Sequence, residues 1–450
     1  MEKVHFIGAA GAGVSALAQF HVMSGGAATG SDRGFDRGDA PELRAQLETL
    51  GVRILPQDGS ALDGSHAYAV ASAAVEEANA DLARAREIGL KVVHRADALA
   101  GWVERQRSIA VAGTSGKSTV VAMIFEILEA AGKGPSVITG GALLALQERG
   151  LAGNAFRGAS DLLVVEADES DGTLVRYKPW LGVLLNLSKD HKEPEEVRAM
   201  FASFRSRCAA FVAGADAAAD LGALAEGAAS FGFEAGELRP EALELGPEGS
   251  RFTLDGVEFR LPVPGRHNVE NALAAVAACA QAGVGLGACA RALARFKGVA
   301  RRFQRVGAAR GVEVIDDFAH NPAKVAAAIA AAHLRSPRVL AVFQLHGFAP
   351  ARFMREEFVE ALSSALQPED RLWMPEIYYA GGTAAKDISA RDIADAIANR
   401  GRNVRFAQGK DSIPAQIALE ARPGDLVLVM GARDPGLGAF AGRILKALQE

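Results

Sequence analysis

The segment Gly113-Thr114-Ser115-Gly116-Lys117-Ser118-Thr119 holds the residue types from which a triphosphate grip is made. Its glycines let the backbone curl so that several N–H groups point at phosphate oxygens, and a helix opening there adds its partial positive end. Lys117 is expected to meet the terminal phosphates of ATP and Ser118 to set its hydroxyl on Mg²⁺. The glycines stand closer together than in Gly-x-x-x-x-Gly-Lys-[Ser/Thr], so the loop is a variant of that pattern. A plain strand-to-helix turn with an exposed lysine is the bland alternative. The order of elements favours the phosphate reading: apolar Ser108–Ala112 precedes the loop and helical Val120–Ala131 follows it.

A second group is acidic. The apolar run Asp161–Val165 ends in Glu166-Ala167-Asp168-Glu169-Ser170-Asp171. Carboxylates so crowded are costly unless solvated or paired with a cation, and parallel α/β sheets hold ligands at the C-terminal ends of their strands. Leu181–Leu187 ends likewise at Ser188-Lys189-Asp190-His191. Glu166 and His191 are therefore expected side by side at the tips of neighbouring strands. Hard oxygen ligands with one imidazole suit Mg²⁺.

A third group is neutral. Val4–Ile7 runs into Gly8-Ala9-Ala10-Gly11-Ala12-Gly13, and an acid, Asp32, follows. Glycines for a phosphate and an acid for a ribose hydroxyl are the needs of a dinucleotide site. A nicotinamide-dependent oxidoreductase is one reading of it, and a UDP-sugar diphosphate meets the same needs. The complete second phosphate site favours the latter.

These groups need elements to hold them. Strand-like runs alternate with Ala-rich helical stretches, which predicts an α/β chain of parallel sheets wrapped by helices. The 450 residues allow about three domains. Boundaries are placed near Gln106, after a charged helix end, and near Val299, where a helix yields to a basic stretch. The domains are then 1–106, 107–298 and 299–450. The last is built on Val312–Ile315, Val339–Phe343 and Asp425–Met430. The mixed segment Phe231–Val263 is compatible with a small antiparallel addition. A net charge of -5 gives no reason to expect nucleic acid. Cys208, Cys279 and Cys289 lack zinc-type spacing and read as buried thiols. The apolar stretch after Met1 is too short for a signal-peptide core and lacks its cationic flank, and no window is long enough to span a membrane, so a cytoplasmic enzyme is expected.

Taken in order, the motifs resemble the Mur ligase family of peptidoglycan synthesis. They are His5-Phe6-Ile7-Gly8, Gly30-Ser31-Asp32, Gly113–Thr119, Glu166–Asp171, Asp190-His191, Pro264-Gly265-Arg266-His267-Asn268, Arg301-Arg302-Phe303, Asp316-Asp317-Phe318-Ala319-His320 and Met430-Gly431-Ala432. The branch they look most like adds L-alanine to UDP-N-acetylmuramate. The resemblance implies a Rossmann-like first domain for the UDP end, a central P-loop ATPase, and a Rossmann-like C-terminal domain that closes over both. It implies Lys117, Glu166, His191 and Arg302 as catalytic, and Mg²⁺ on Ser118, Glu166 and His191. ATP contacts fall on Gly113, Thr114, Ser115, Gly116, Lys117, Ser118, Thr119, His267, Asn268, Asn271, Arg302 and Asp317. UDP-substrate contacts fall on Gly8, Ala9, Ala10, Gly11, Ala12, Gly13, Ser31, Asp32 and Ser72, and amine-substrate contacts on His320, His346 and Arg352. The substrates implied are small molecules, a UDP-sugar carboxylate and an amino acid or short peptide, handled by a monomer or homodimer.

The chain also departs from the family pattern. Two arginines of the amine-receiving stretch are replaced by Gly347 and Pro350, which leaves Arg352. Phe318 is closer to the branch that attaches an intact tripeptide in murein recycling, and Asn321 stands where both branches have a second histidine. Ala10 replaces a middle glycine, and Ser115 a histidine. Other branches carry a carbamylated lysine, and Glu193–Val212 contains none. A ligase for another acceptor, or a nucleotide-binding regulator without catalysis, are the remaining alternatives.

Overall fold

A computed structural model describes residues 2–169, 172–187, 193–216, 221–379, 385–434 and 436–450. The first sheet has strands β1 (Lys3–Ile7), β2 (Ala27–Ser31), β3 (Val52–Ile54), β4 (Tyr68–Ala71) and β5 (Val92–His94) in the order β3-β2-β1-β4-β5. All its pairings are parallel. The second contains β6 (Arg107–Ala112), β7 (Ser136–Ile138), β8 (Ala155–Phe156), β9 (Leu162–Glu166), β10 (Leu181–Leu184), β11 (Ala210–Gly214) and β12 (Ala229–Phe231). Its order is β12-β11-β10-β6-β9-β7-β8, parallel except for the β7–β8 edge. Strands buried on both faces read as unbroken apolar runs, and Ile109–Ala112 and Leu162–Val165 are such runs, all buried.

The expected strand over Leu181–Leu187 stops at Leu184. Moreover β9 and β10 are not neighbours, because β6 lies between them. The tips of β9 and β10 therefore flank the phosphate-loop strand on opposite sides, which corrects the side-by-side arrangement expected for Glu166 and the end of β10. His191 itself lies outside the described residues.

The mixed segment forms a small sheet of β13 (Glu241–Gly246), β14 (Gly249–Leu254) and β15 (Val257–Leu261). Two-residue connections join its strands, a length that only antiparallel neighbours allow. The second connection is Asp255-Gly256, both with positive φ, the sequence that tight hairpins favour. The last sheet contains β16 (Gln304–Ala309), β17 (Val312–Asp317), β18 (Val339–Gln344), β19 (Arg371–Pro375), β20 (Val404–Ala407) and β21 (Leu426–Gly431), in the order β16-β17-β21-β18-β19-β20. Only β16 runs antiparallel.

The chain packs as two compact units. One comprises 1–242, 252–259 and 270–299, the other 243–251, 260–269 and 300–450. Inside the first unit, the first and second sheets share one hydrophobic core that runs from Val4 and Phe20 to Val165 and Phe201. A polar bolt crosses the same seam. Asn154 accepts from Gln19 Nε2 at 2.7 Å and donates to Ala12 O at 2.8 Å and Ser15 Oγ at 3.0 Å. Among the described residues no helix is long and apolar enough to cross a membrane.

Candidate active site

Strand β6 is the middle strand of its sheet, and the chain leaves its tip through Gly113 at φ +140° and Gly116 at φ +88°. Gly116 precedes the helix Lys117–Ala130. A Cβ at Gly116 would stand 2.3 Å from Asn271 Oδ1, and one at Gly113 2.9 Å from Leu185 Cβ, so both positions exclude side chains by space as well as by φ. Asn186 splints the loop, accepting from Ser115 N–H at 2.9 Å and donating to Ser115 O at 3.2 Å. Thr114 and Thr119 are buried, as is Asn271.

The ammonium of Lys117 donates to Gly113 O at 2.8 Å and to Glu169 Oε2 at 2.7 Å, with Asp168 Oδ1 at 3.4 Å. Burial works against its charge. The carboxylates of Glu169, Asp168 and Glu166 outweigh burial and hold the lysine above its ordinary pKa, so it is a fixed cation at neutral pH. Burial raises the Glu169 carboxyl, and Lys117 pulls it back. Two of the four clustered acids, Glu169 and Asp168, thus find their cation in the protein itself, and for the buried Glu169 the cost of burying charge requires it.

Glu166 collects hydrogen-bond donors. Ser118 Oγ lies 3.0 and 3.1 Å from its two oxygens, Thr139 Oγ1 donates at 2.9 Å and Gly140 N–H at 3.1 Å. A carboxylate and hydroxyls converging at a strand tip beside a phosphate loop are the hard-oxygen chemistry that Mg²⁺ takes. Thr139 and Asn186 escaped the sequence reading. The signal for Thr139 was present, since Thr139-Gly140-Gly141 follows the apolar strand β7, one more strand-then-glycine opening. Nothing in the sequence ties Asn186 to Ser115.

Strand β1 is also a middle strand, and its loop turns at Gly8, φ +81°, into the helix Ala12–Met23, with Gly11 as its cap. Gly8 and Ala9 N–H both donate to Ser31 O, at 2.8 and 3.0 Å. Asp32 accepts from Ala10 N–H at 3.0 Å and from Gly34 N–H at 2.7 Å. Gly13 follows inside the first turn of the helix, and half-buried Ser72 follows β4. Beneath the loop lies a buried polar cluster that the sequence reading also missed. His5 Nδ1 lies 2.7 Å from Thr29 Oγ1, Ser31 Oγ donates to Asp81, and Asp81 accepts from Gly59 N–H at 2.8 Å.

The remaining candidates sit in the second unit, except Asn271. His267 is exposed and Asn268 buried at the start of the helix Arg266–Gln281, and Asn268 Nδ2 donates to Pro264 O at 2.7 Å. Asp317 accepts from Phe303 N–H at 2.6 Å and Ala319 N–H at 2.7 Å. Burial raises its pKa against the pull of Arg302. The guanidinium of Arg302 stands 5.1 Å from the Phe318 ring centre. Phe318 in turn packs edge-on against His320, and His320 against His346, each at 5.5 Å. The structure therefore gathers Arg302, Phe318, His320 and His346 into one row, with Lys324 Nζ 3.4 Å from His320 Nε2. Arg352 is engaged elsewhere, with Asp387 and with Ala385 O at 3.2 Å.

Comparison with known proteins matches residues 3–107 to the Mur ligase family catalytic domain, 111–279 to the Mur ligase middle domain, and 301–433 to the Mur ligase glutamate ligase domain. The chain belongs to the Mur ligase family. It is thereby an ATP-dependent ligase. Among its relatives is the UDP-N-acetylmuramate–L-alanine ligase of Pelotomaculum thermopropionicum, 35% identical over 452 residues, covering 96% of this chain and 95% of the relative. The enzyme of the same name from Paenarthrobacter aurescens is 37% identical over 463 residues, covering 99% and 97%. A UDP-N-acetylmuramate-alanine ligase structure from Thermotoga maritima superposes with a TM-score of 0.83 at 25% identity, covering 100% of this chain and 99% of that one. A murein peptide ligase from Psychrobacter arcticus shares the fold, with a TM-score of 0.71 at 22% identity and the same coverage.

Proposed function

We propose that this Mur ligase joins L-alanine to the carboxylate of UDP-N-acetylmuramate at the expense of ATP, by way of an acyl phosphate. The observation that carries the chemistry is the pairing at the tip of β6. There a largely buried, charged Lys117 and a Ser118 hydroxyl on Glu166 stand side by side on one phosphate loop. The names of relatives that span nearly the whole chain support the substrates. The loop Gly8–Gly13, backed by Ser31 and Asp32 and neighboured by Ser72, is assigned to the UDP end.

Three anionic centres must approach in the first step: the muramate carboxylate, the triphosphate, and the charge that develops between them. Lys117 holds its ammonium where the terminal phosphates arrive, and the backbone N–H groups of Gly116–Thr119 are assigned to them, those of Thr114 and Ser115 being taken by Asn186. Arg302 supplies a further cation, and Asp317, with His267, Asn268 and Asn271, is assigned to the nucleoside. Ser118 and Glu166 would hold Mg²⁺, with His191 as the third ligand, and the ion would neutralise phosphate charge there. The carboxylate attacks the γ-phosphorus and ADP leaves. The amine then attacks the acyl carbon, and phosphate departs from the tetrahedral intermediate. His320 and His346, with Arg352 farther along the chain, are assigned to the amine substrate. A cytoplasmic location fits nucleotide-linked substrates.

A second reading is favoured by one observation. Phe318, the residue typical of the tripeptide-adding branch, is the centre of the row formed by Arg302, His320 and His346. Phosphate release from ATP, measured with UDP-N-acetylmuramate plus alanine and then plus tripeptide, separates the two. Release with alanine alone is expected. Release only with the tripeptide would replace the first reading with the second, and none with either would sink both.

A further inference from the structure

A cleft of about 740 Å³ opens on the first unit, walled by the helix Lys117–Ala130, the turn around Ala145–Arg149, the helix Leu286–Leu293 and the connector that follows it. Its volume falls in the range of small-molecule sites. Seven of its lining residues are ionisable: Glu126, Glu129, Glu148, Arg149, Arg291, Arg295 and Lys297. Four of them cancel in pairs. Arg149 clasps Glu129 through both terminal guanidinium nitrogens, and Lys297 Nζ lies 3.3 Å from Glu148. Three remain. Arg291 and Arg295 are exposed, and among the described residues neither side chain has an ion pair or hydrogen bond. Glu126 accepts from Lys297 N–H at 3.2 Å through Oε2, while its Oε1 is buried with no partner among the described residues.

A buried carboxylate oxygen without a donor is costly, and that cost is recovered by whatever brings a donor to it. The residual pattern is one acid below and two guanidinium groups at the rim. Its complement is a molecule with one ammonium and two carboxylates.

We propose that this cleft is an effector site for an acidic amino acid or an acidic short peptide, whose ammonium meets Glu126 and whose carboxylates meet Arg291 and Arg295. It is separate from the phosphate loop yet tied to it. Past Lys297, Gly298 O accepts from Leu144 N–H at 3.1 Å and Val299 bridges to Leu143. Val299 also packs on Gly141, where an added Cβ would lie 2.9 Å from Val299 Cγ1 and 3.1 Å from Ser118 Cβ. An occupant pulling on Glu126 thus acts on a segment one residue away from the Mg²⁺-side serine. Burial lifts the Glu126 carboxyl to about 7, with Glu129 adding to the rise and Lys297 and Arg149 opposing it. An arriving ammonium lowers it again, so binding near neutral pH releases a fraction of a proton.

The test is calorimetric titration of glutamate into the full-length protein at pH 7, in two buffers of different ionisation enthalpy. Saturable binding is expected, with a buffer-dependent heat. Glu126→Gln abolishes the buffer dependence. The double variant Arg291→Ala/Arg295→Ala weakens binding at least ~10-fold, since each lost contact is a charge-assisted pair. Lys117→Ala retains binding, which separates this cleft from the nucleotide site. Glutamate also shifts the affinity of the wild type for a fluorescent ATP analogue, and leaves that of the double variant unchanged. Absence of saturable binding, equal affinity in the double variant, or loss of binding in Lys117→Ala would overturn the site. Binding that leaves nucleotide affinity untouched would overturn its role as an effector site.

Discussion

The loops Gly8–Gly13 and Gly113–Lys117 both leave the tip of a middle strand and enter a long helix. In the first, the N–H groups of Gly8, Ala9 and Ala10 are spent on Ser31 and Asp32 of the next strand and its end. The nearby acid faces the loop's own backbone. In the second, the acids face a cation and a hydroxyl: Glu169 holds Lys117 and Glu166 holds Ser118. One loop is a cradle shaped by backbone, the other a loaded electrostatic device. The same strand-glycine-helix grammar therefore serves recognition in one sheet and chemistry in the next, and the difference lies in what the flanking strands bring.

The contrast breaks most visibly at Lys117. Lys117→Ala removes the one buried cation of the second loop and strands Glu169, and turnover is expected to fall at least ~100-fold, the scale of a lost preorganised contact. Near-normal turnover in a folded variant would make the two loops equivalent. Gly116→Ala comes next. It forces a side chain into φ +88° and against Asn271 Oδ1, a left-handed conformation that costs about 1–2 kcal/mol before any clash. The KM for ATP should rise by at least ~10-fold, with that for the UDP-linked substrate unmoved.

Asp32→Asn probes the cradle. The carboxylate accepts from Ala10 N–H through Oδ2 and from Gly34 N–H through Oδ1, whereas an amide has one acceptor oxygen and keeps only one of the two, and charged hydrogen bonds are worth about 1.5–3 kcal/mol. Only part of that is lost, so KM for the UDP-linked substrate should rise ~3- to 10-fold, with kcat nearly constant. A fall in kcat at constant KM would place Asp32 in the chemistry and erase the distinction.

Much of this was legible in the sequence for a physical reason. Parallel strands buried on both faces advertise themselves as apolar runs, and a loop that must adopt positive φ keeps its glycines, so β1, β6, β9, β17, β18 and β21 were visible with their loops. Adjacency was not. The tips carrying Glu166 and the end of β10 were expected together, but strand order is set by crossovers that chain order does not encode, and β6 lies between them. Side-chain partners across strands were hidden for the same reason. Asn186 on Ser115, Thr139 on Glu166 and Asp81 under Ser31 join residues 71, 27 and 50 positions apart. Asp32 was found by its position in a motif, while its bonds to Ala10 and Gly34 N–H came only from the fold.

The smallest effect belongs to Ala10, where the family pattern has a glycine. Ala10 keeps a negative φ, unlike Gly8 and Gly116, so its Cβ costs the loop no strain. Ala10→Gly is therefore expected to do little except enlarge the freedom of the unfolded chain. Stability should fall by about 0.4–1 kcal/mol, read as a slight drop in the urea midpoint, with both KM values and kcat unchanged. Should the glycine instead tighten binding of the UDP-linked substrate several-fold, the Cβ of Ala10 must be holding a phosphate off the backbone. The first loop would then be shaped by side-chain sterics rather than by the amides that Ser31 and Asp32 hold in place.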